Sequence, residues 1–404
     1  MRRRWLLAAG GASVLGVGTV GATMLPDRTE AAPLPRLLSG PGWYDADPRA
    51  ESAWLATGRV PGDAGPYGGL VRRALLDLRA LTGPDGAVAA GPAPSWAYAW
   101  PRDSAFAAAA LARTGHLDDA DRILRFLSRV QLPDGGFEAR YLLDGRGTPD
   151  DRRRQDDGAG WSLWALRAAL DADPDAASAR DRAQEHRGLL ERALEFTLDR
   201  TADGTRLPDP SPDYWERSER LLTLGAVAPL VAGLRAGAAV LSRLRDRRRA
   251  RTVSAAAGTL AGLVRERFAP AGWTRCAGGR GDAVDAAVTF CLPPFAPRAD
   301  HDVLQALEVY EVAARRPAGG LAPGAGWRQD GISWTPETAL VALAAASCGR
   351  TAQAEAWLTW LGAHLTAWGS LPEKVLPDGS PAGPAPLGWT AACVVLAVDT
   401  LGRG

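Results

Sequence analysis

The stretch PRDSAFAAAALARTGHLDDADRILRFLSRVQLPDGGF, residues 101–137, decides the architecture. A proline at the start of a helix loses no intrahelical donor, and the run SAFAAAALAR behind it reads as a helix. Gly115 punctuates, and a second helix follows at once over 117–131. After it comes a loop of Leu, Pro, Asp and Gly. One tight turn is thus followed by one long connection. Working outward, apolar residues recur at helical spacing from residue 65 onward and alternating strand patterns are scarce. Helices are expected near 66–82, 102–114, 117–131, 159–172, 177–201, 217–243, 247–268, 282–293, 301–315, 335–347, 351–367 and 387–402. Pro174, Pro297 and Gly349 separate neighbours as Gly115 does.

The connections alternate. Those after the second, fourth, sixth, eighth and tenth helices are tight. Those after the odd-numbered helices are long and carry most of the Trp, Pro and Gly. In an up-and-down array every second connection lies at one end, so six helical hairpins put all the long loops on one face. Long loops on a rigid scaffold are where function concentrates. The expected fold is all-α, a closed (α/α)6 barrel with its site at the long-loop end. An open solenoid is the alternative, but the hairpins share no recurring signature.

The 404 residues carry a net charge of +1, which argues against a nucleic-acid partner. The arginine runs 152–154 and 247–249 lack interleaved aromatics and read as solvated faces. One lysine, Lys374, stands among forty-six arginines. Residues 1–30 begin with Arg2-Arg3-Arg4 before an uncharged run over 5–25, the pattern of an export signal, with a twin-arginine route, or of a membrane anchor. Residues 31–64 read as a tether and 65–404 as the helical domain, working outside the cytoplasm as a monomer. Four scattered cysteines form no CxxC pair, four scattered histidines suggest no metal site, and no GxxxxGK[ST] nucleotide loop occurs. No cofactor is expected.

The long loops hold carboxylates beside indoles: QLPDGGFEARYLLDGR and RRRQDDGAGW in the second, LPDPSPDYWERSER in the third, GWRQDGISW in the fifth, and WGSLPEKVLPDGSPAGPAPLGW in the last. Indole faces pack on the C–H faces of a sugar while charged groups bind its hydroxyls. Glu216 follows Trp215 at the expected start of the sixth helix, where an acid is also simply favoured by the helix dipole. Glu373 sits in a Pro/Gly-rich loop beside Lys374, where the plain reading is a surface ion pair. A pair of carboxylates across a sugar pocket is what glycoside hydrolysis requires. The wall of Trp215 is expected to desolvate Glu216 and raise its pKa, while Lys374 keeps Glu373 ionised.

YAWPRDSAF, FEARYLLDGR, RQDDGAGW, DYWERSE and LPEKVLPDGSPAGPAPLGWTAA together resemble glycoside hydrolase family 15, the glucoamylase family, in order and over about residues 65–402. The resemblance implies an (α/α)6 barrel and an inverting exo-acting enzyme that releases β-D-glucose from α-glucosides, without a metal. Carried over, Glu216 matches the general acid and Glu373 the general base. Arg102 and Asp103 match the pair that grips the terminal glucose, and Trp100, Trp215 and Trp389 match its aromatic lining. Asp157 and Arg328 match further substrate contacts. Arg217 stands where fungal members often carry a second Glu, and Lys374 where many members have Gln. Trehalases and glucodextranases belong to the same family. A triterpene cyclase-like toroid, suggested by QLPDGGF, lacks a DxDD motif. A non-catalytic glycan-binding barrel is the rival from another class.

Overall fold

The computed structural model describes residues 47–278 and 283–403. The expected export segment, and the tether as far as residue 46, lie outside them. The rest of the tether is not featureless: α1 (Pro48–Ala56) is a helix capped by the Asp47 side chain, and it packs Leu55 against the core.

The other helices are α2 (Gly68–Leu81), α3 (Pro101–Arg113), α4 (Leu117–Val130), α5 (Asp157–Ala172), α6 (Ala176–Glu185), α7 (Arg187–Arg200), α8 (Leu224–Arg243), α9 (Arg247–Phe268), α10 (His301–Ala313), α11 (Thr335–Ser347), α12 (Thr351–Ala363) and α13 (Gly388–Leu401). α3, α5, α8, a short 3-10 segment at Ala286–Cys291, α11 and α13 touch one another in that order, and α13 closes back on α3. The partners α2, α4, α7, α9, α10 and α12 pack outside this ring. The fold is the (α/α)6 barrel.

Inner and outer helices differ as their positions demand. From Pro101 to Ala112 every residue of α3 is buried, and α13 is buried from Gly388 to Asp399. A helix apolar all round must be enclosed. α8 is long and apolar enough to cross a membrane, yet 89% of that stretch is buried inside the protein. Small residues let the inner helices approach closely. A Cβ on Gly160 of α5 would lie 2.1 Å from the carbonyl oxygen of Pro229 in α8.

Three expected helices differ. The stretch 177–201 breaks at His186, whose buried ring meets Asp121 at 3.0 Å, so a tertiary contact interrupts it. Residues 282–293 contract to the 3-10 segment, started by the Asp285 side chain on Ala287 N and followed by Pro293 and Pro294. The helix expected from 217 begins at Leu224, with Thr223 as its cap. Two cavities of about 560 and 480 Å³ flank the short 3-10 segment and share Arg235 and Pro297; the larger reaches the last turns of α3, α5 and α13, and the smaller lies between α8 and α9.

Candidate active site

Five of the long loops meet at the N-terminal ends of the inner helices and enclose one cavity. The α2–α3 loop brings Trp96 and Trp100, α4–α5 brings Arg152, and α7–α8 brings Tyr214, Trp215 and Glu216. The α10–α11 loop brings Trp327 and Trp334, and the end of the chain supplies Glu373 and Trp389. Arg102, Asp103 and Glu337 enter from the first turns of α3 and α11. The cavity's volume is about 90 Å³.

Glu216 lies in a loop, not in the first turn of a helix, so the dipole explanation for it fails. Arg275 is the cause. It grips Asp213 at 2.7 Å and Glu219 at 2.8 Å, and its guanidinium lies 4.0 Å from the centre of the Trp215 ring. These ties hold the segment out of helix until Thr223. Glu216 itself has φ +56°, a left-handed conformation that residues with a side chain rarely adopt and that concentrates at functional sites. Its surroundings correct the expected apolar wall. Arg152 donates to Oε2 at 2.7 Å, Gln155 and Trp100 donate to Oε1 at 2.5 and 3.2 Å, and Arg102 lies 3.9 Å away. Arg152 is therefore a cavity residue, unlike its neighbour Arg154, which pairs on the surface with Asp134 and Glu138.

Glu373 is positioned by a three-stranded antiparallel sheet, β1 (Ser333–Trp334), β2 (Lys374–Val375) and β3 (Pro381–Ala382). Its backbone bonds to Thr335 N and Pro384 O. Gly383 faces the carboxylate; a Cβ there would lie 2.7 Å from Oε2. Burial raises the Glu373 carboxyl above its usual range, and Lys374, 3.5 Å from Oε2, pulls it back. The lysine also rests 4.5 Å from the centre of the Trp334 ring.

Arg102 is buried and its cation lies 4.8 Å from the centre of the Trp389 ring. Burial alone would lower its pKa, but Asp103, Asp157 and Glu216 outweigh that and hold it charged. Burial lifts Asp103 and Asp157 each to about 6 against the pull of Arg102. Asp157 does not reach the cavity. It stands behind Arg102, accepting from Nη1 at 3.4 Å and from the Trp161 indole at 3.2 Å. Arg328 and Arg217 also stay outside the lining. Arg217 is exposed and stacks over Trp327 at 4.5 Å, so Trp327 is the wall and the two arginines belong to its rim.

Many lining groups have unused hydrogen-bonding capacity. Of the eighteen buried side-chain atoms without a hydrogen-bond partner among the described residues, eight belong to this cavity: Arg102 Nε, Asp103 Oδ2, Glu337 Oε2, Glu373 Oε2 and the indole nitrogens of Trp215, Trp327, Trp334 and Trp389, with Asp103 Oδ2 and Glu373 Oε2 in ion-pair range of Arg102 and Lys374. Buried polar atoms are ordinarily satisfied, so this concentration marks a surface built for a ligand rich in donors and acceptors. No group of three or more metal-ligating side chains and no disulfide occurs among the described residues.

Residues 67–173 match the model of glycosyl hydrolases family 15. Over that segment the chain is similar to this family. An uncharacterized glycosyl hydrolase of Methanocaldococcus jannaschii is 32% identical over 99 residues, 24% of this chain and 16% of that protein, so the match spans a small part of this relative. A glycosidase variant solved in complex with glucose superposes with a TM-score of 0.71 at 20% identity, covering 89% of this chain and 99% of that one. A bacterial glucoamylase complexed with acarbose gives 0.71 at 17% identity over 87% of this chain and 58% of that one. The family-matched segment contains Trp100, Arg102, Asp103, Arg152 and Asp157; Glu216, Glu337 and Glu373 lie beyond it.

The sequence reading missed Trp96, Arg152, Tyr214, Trp327, Trp334 and Glu337 as lining residues. Both Trp327 and Trp334 stood inside the quoted GWRQDGISW. Glu337 had a signal as well: Trp-Thr-Pro-Glu at 334–337 repeats the Trp-Pro-Arg-Asp pattern at 100–103, a loop indole, a proline and then a first-turn acid.

Proposed function

We propose that this protein is an inverting, exo-acting glycoside hydrolase that releases glucose from the non-reducing ends of α-glucosides. The observation that supports it is the convergence of Glu216 and Glu373, from loops far apart in the chain, on one cavity walled by indoles and by the Arg102–Asp103 pair. Glu216 protonates the glycosidic oxygen while Glu373 takes a proton from water attacking C1 on the opposite face, which leaves β-glucose. Room for that water requires the two carboxyls to stand about 6.5–9.5 Å apart. Arg102 and Asp103 hold the hydroxyls of the terminal sugar through directional charged hydrogen bonds. Trp389, braced by Arg102, offers a ring face to its C–H surface. The glucose and acarbose of the two structural relatives are ligands of the expected chemistry.

Glucose release from maltose, isomaltose, trehalose and starch tests the activity and ranks the linkages. NMR of the first product should show the β-anomer. Glu216→Gln and Glu373→Gln should each lower kcat by at least about 10²-fold. Binding of all these glucosides without hydrolysis of any would leave the glycan-binding barrel as the reading.

One observation favours the reverse assignment of the two acids. Glu216 is ion-paired with Arg152, whereas burial raises Glu373. Azide separates the cases, because it attacks without a general base. If Glu373 is the base, azide restores turnover to Glu373→Ala, and Glu216→Ala keeps activity on α-glucosyl fluoride, whose leaving group needs little protonation. The opposite pattern exchanges the roles.

A further inference from the structure

Glu337 is a third carboxyl in the cavity, and the proposed chemistry does not use it. It is the third residue of α11, immediately after Pro336, and both line the cavity. A first-turn acid is ordinary on a surface helix, where it sits in water near the dipole. Glu337 is instead 4% exposed. Among the described residues it forms no ion pair and accepts from no other side chain; its own backbone N–H is the one donor acting on it, and its Oε2 is buried without a hydrogen-bond partner. The contrast with Glu311 is direct. That acid is also buried, but Trp357 and Gln353 donate to its two oxygens. An unpaired carboxyl taken out of water is costly to keep, so its partner is to be sought in what the cavity holds.

We propose that Glu337 is a specificity-determining residue, a carboxylic acid that exchanges hydrogen bonds with one hydroxyl of the bound sugar ring. This deepens the glycosidase reading and rests on it. The residues near Glu337 suit a neutral acid. Glu373 and Asp285 repel a charge there, and Arg102 is the attracting cation. Burial, with Glu373 adding to it, raises the carboxyl to about 8, so at neutral pH it keeps a proton to donate and a carbonyl oxygen to accept. A hydroxyl complements both; an ether or a methylene complements neither.

The test couples the side chain to the ligand group. kcat/KM is measured for the full chain and for Glu337→Gln and Glu337→Leu on aryl α-glucosides lacking single hydroxyls at C2, C3, C4 or C6. In the parent, one deoxy position should cost about 10-fold or more through Glu337. Glu337→Leu should reduce that one penalty by about the same factor and leave the other penalties as they are. Glu337→Gln, which keeps a donor and an acceptor, should preserve it. A pattern of penalties identical in all three proteins overturns the proposal and leaves the glycosidase reading intact. Where no glucoside is turned over, the same panel read as binding by calorimetry reports the same coupling, and no binding of any glucoside overturns both. Melting temperature supplies the control. A purely structural acid would be missed by the fold and its loss would lower Tm, whereas removal of an unpaired buried carboxyl should hold or raise it.

Discussion

Lys374→Met isolates the electrostatics of the proposed base. Lys374 Nζ lies 3.5 Å from Glu373 Oε2, and both side chains are 7% exposed, so solvent screens the pair little. With an effective dielectric constant of about 20, Coulomb's law gives about 5 kcal/mol for unit charges at that distance, before the cost of desolvating either group. A base works only when ionised. Burial already raises Glu373, and the ammonium is the largest influence drawing it back. Removing the ammonium must therefore move the acid limb of the kcat/KM profile toward higher pH. Even a third of that Coulomb energy exceeds the 1.36 kcal/mol that corresponds to tenfold in rate. At the foot of the acid limb the variant should lose at least about tenfold and recover as pH rises. Lys374→Arg keeps the charge and should keep most of the profile. The assay is initial-rate glucose release from about pH 4 to 8, with melting curves to confirm folding. Superimposable profiles for parent and Lys374→Met would refute the reasoning.

Stability should fall as pH rises from about 4 toward 8, most steeply below about 6. Burial raises Asp103 and Asp157 to about 6, Asp77 and Asp285 to about 7 and Glu337 to about 8. Between the unfolded carboxyl pKa near 4 and these values the folded chain binds more protons, so their contribution is fully present below about 4, declines as pH rises from there, and is gone above about 6 for Asp103 and Asp157, about 7 for Asp77 and Asp285 and about 8 for Glu337. His186, lowered to about 4 by burial, acts oppositely and costs stability as pH falls from about 6.5; calorimetric Tm at pH 5, 6.5 and 8 checks both slopes. Gly383→Ala pushes a methyl onto Glu373 Oε2 at a backbone φ of +75° and should lower kcat by about tenfold or more with a smaller effect on Tm. Gly160→Ala forces a methyl into the Pro229 carbonyl and should destabilise by about 1–3 kcal/mol or more. Gly258→Ala, in open space on α9, should stabilise by about 0.5–1 kcal/mol, and urea titration compares the two.

The barrel was legible because its helices are long, strongly periodic and punctuated, and because a tight turn followed by a long loop fixes which end each loop occupies. Local pattern failed where a distant partner decided the backbone. Arg275 keeps Trp215–Thr223 out of helix through Asp213 and Glu219, and nothing within that segment announces a guanidinium sixty residues away. His186 breaks a good helical sequence for the same kind of reason. Side-chain roles failed in the same way. Arg152 read as part of a solvated run, but a run of three side chains need not share one direction, and Arg152 reaches Glu216 while Arg154 stays outside. Asp157 is absent from the cavity lining and braces Arg102 from behind. Glu337 was hidden by its ordinariness, since an acid in a first turn is expected everywhere and only its burial makes it unusual.

The 3-10 segment at Ala286–Cys291 has a consequence for how this barrel can be altered. Six residues at about 2.0 Å each make a stave of about 12 Å, whereas the twenty residues of α8 beside it run about 30 Å. A wall with one short stave is hollow beside it, and the two cavities around Arg235 and Pro297 are that hollow. The rim that carries the candidate site lies at the N-terminal ends of the inner helices, whereas the larger hollow, the foot, reaches the last turns of α3, α5 and α13. Filling the foot with larger apolar side chains is a way to stiffen the protein that leaves the rim's chemistry where it is.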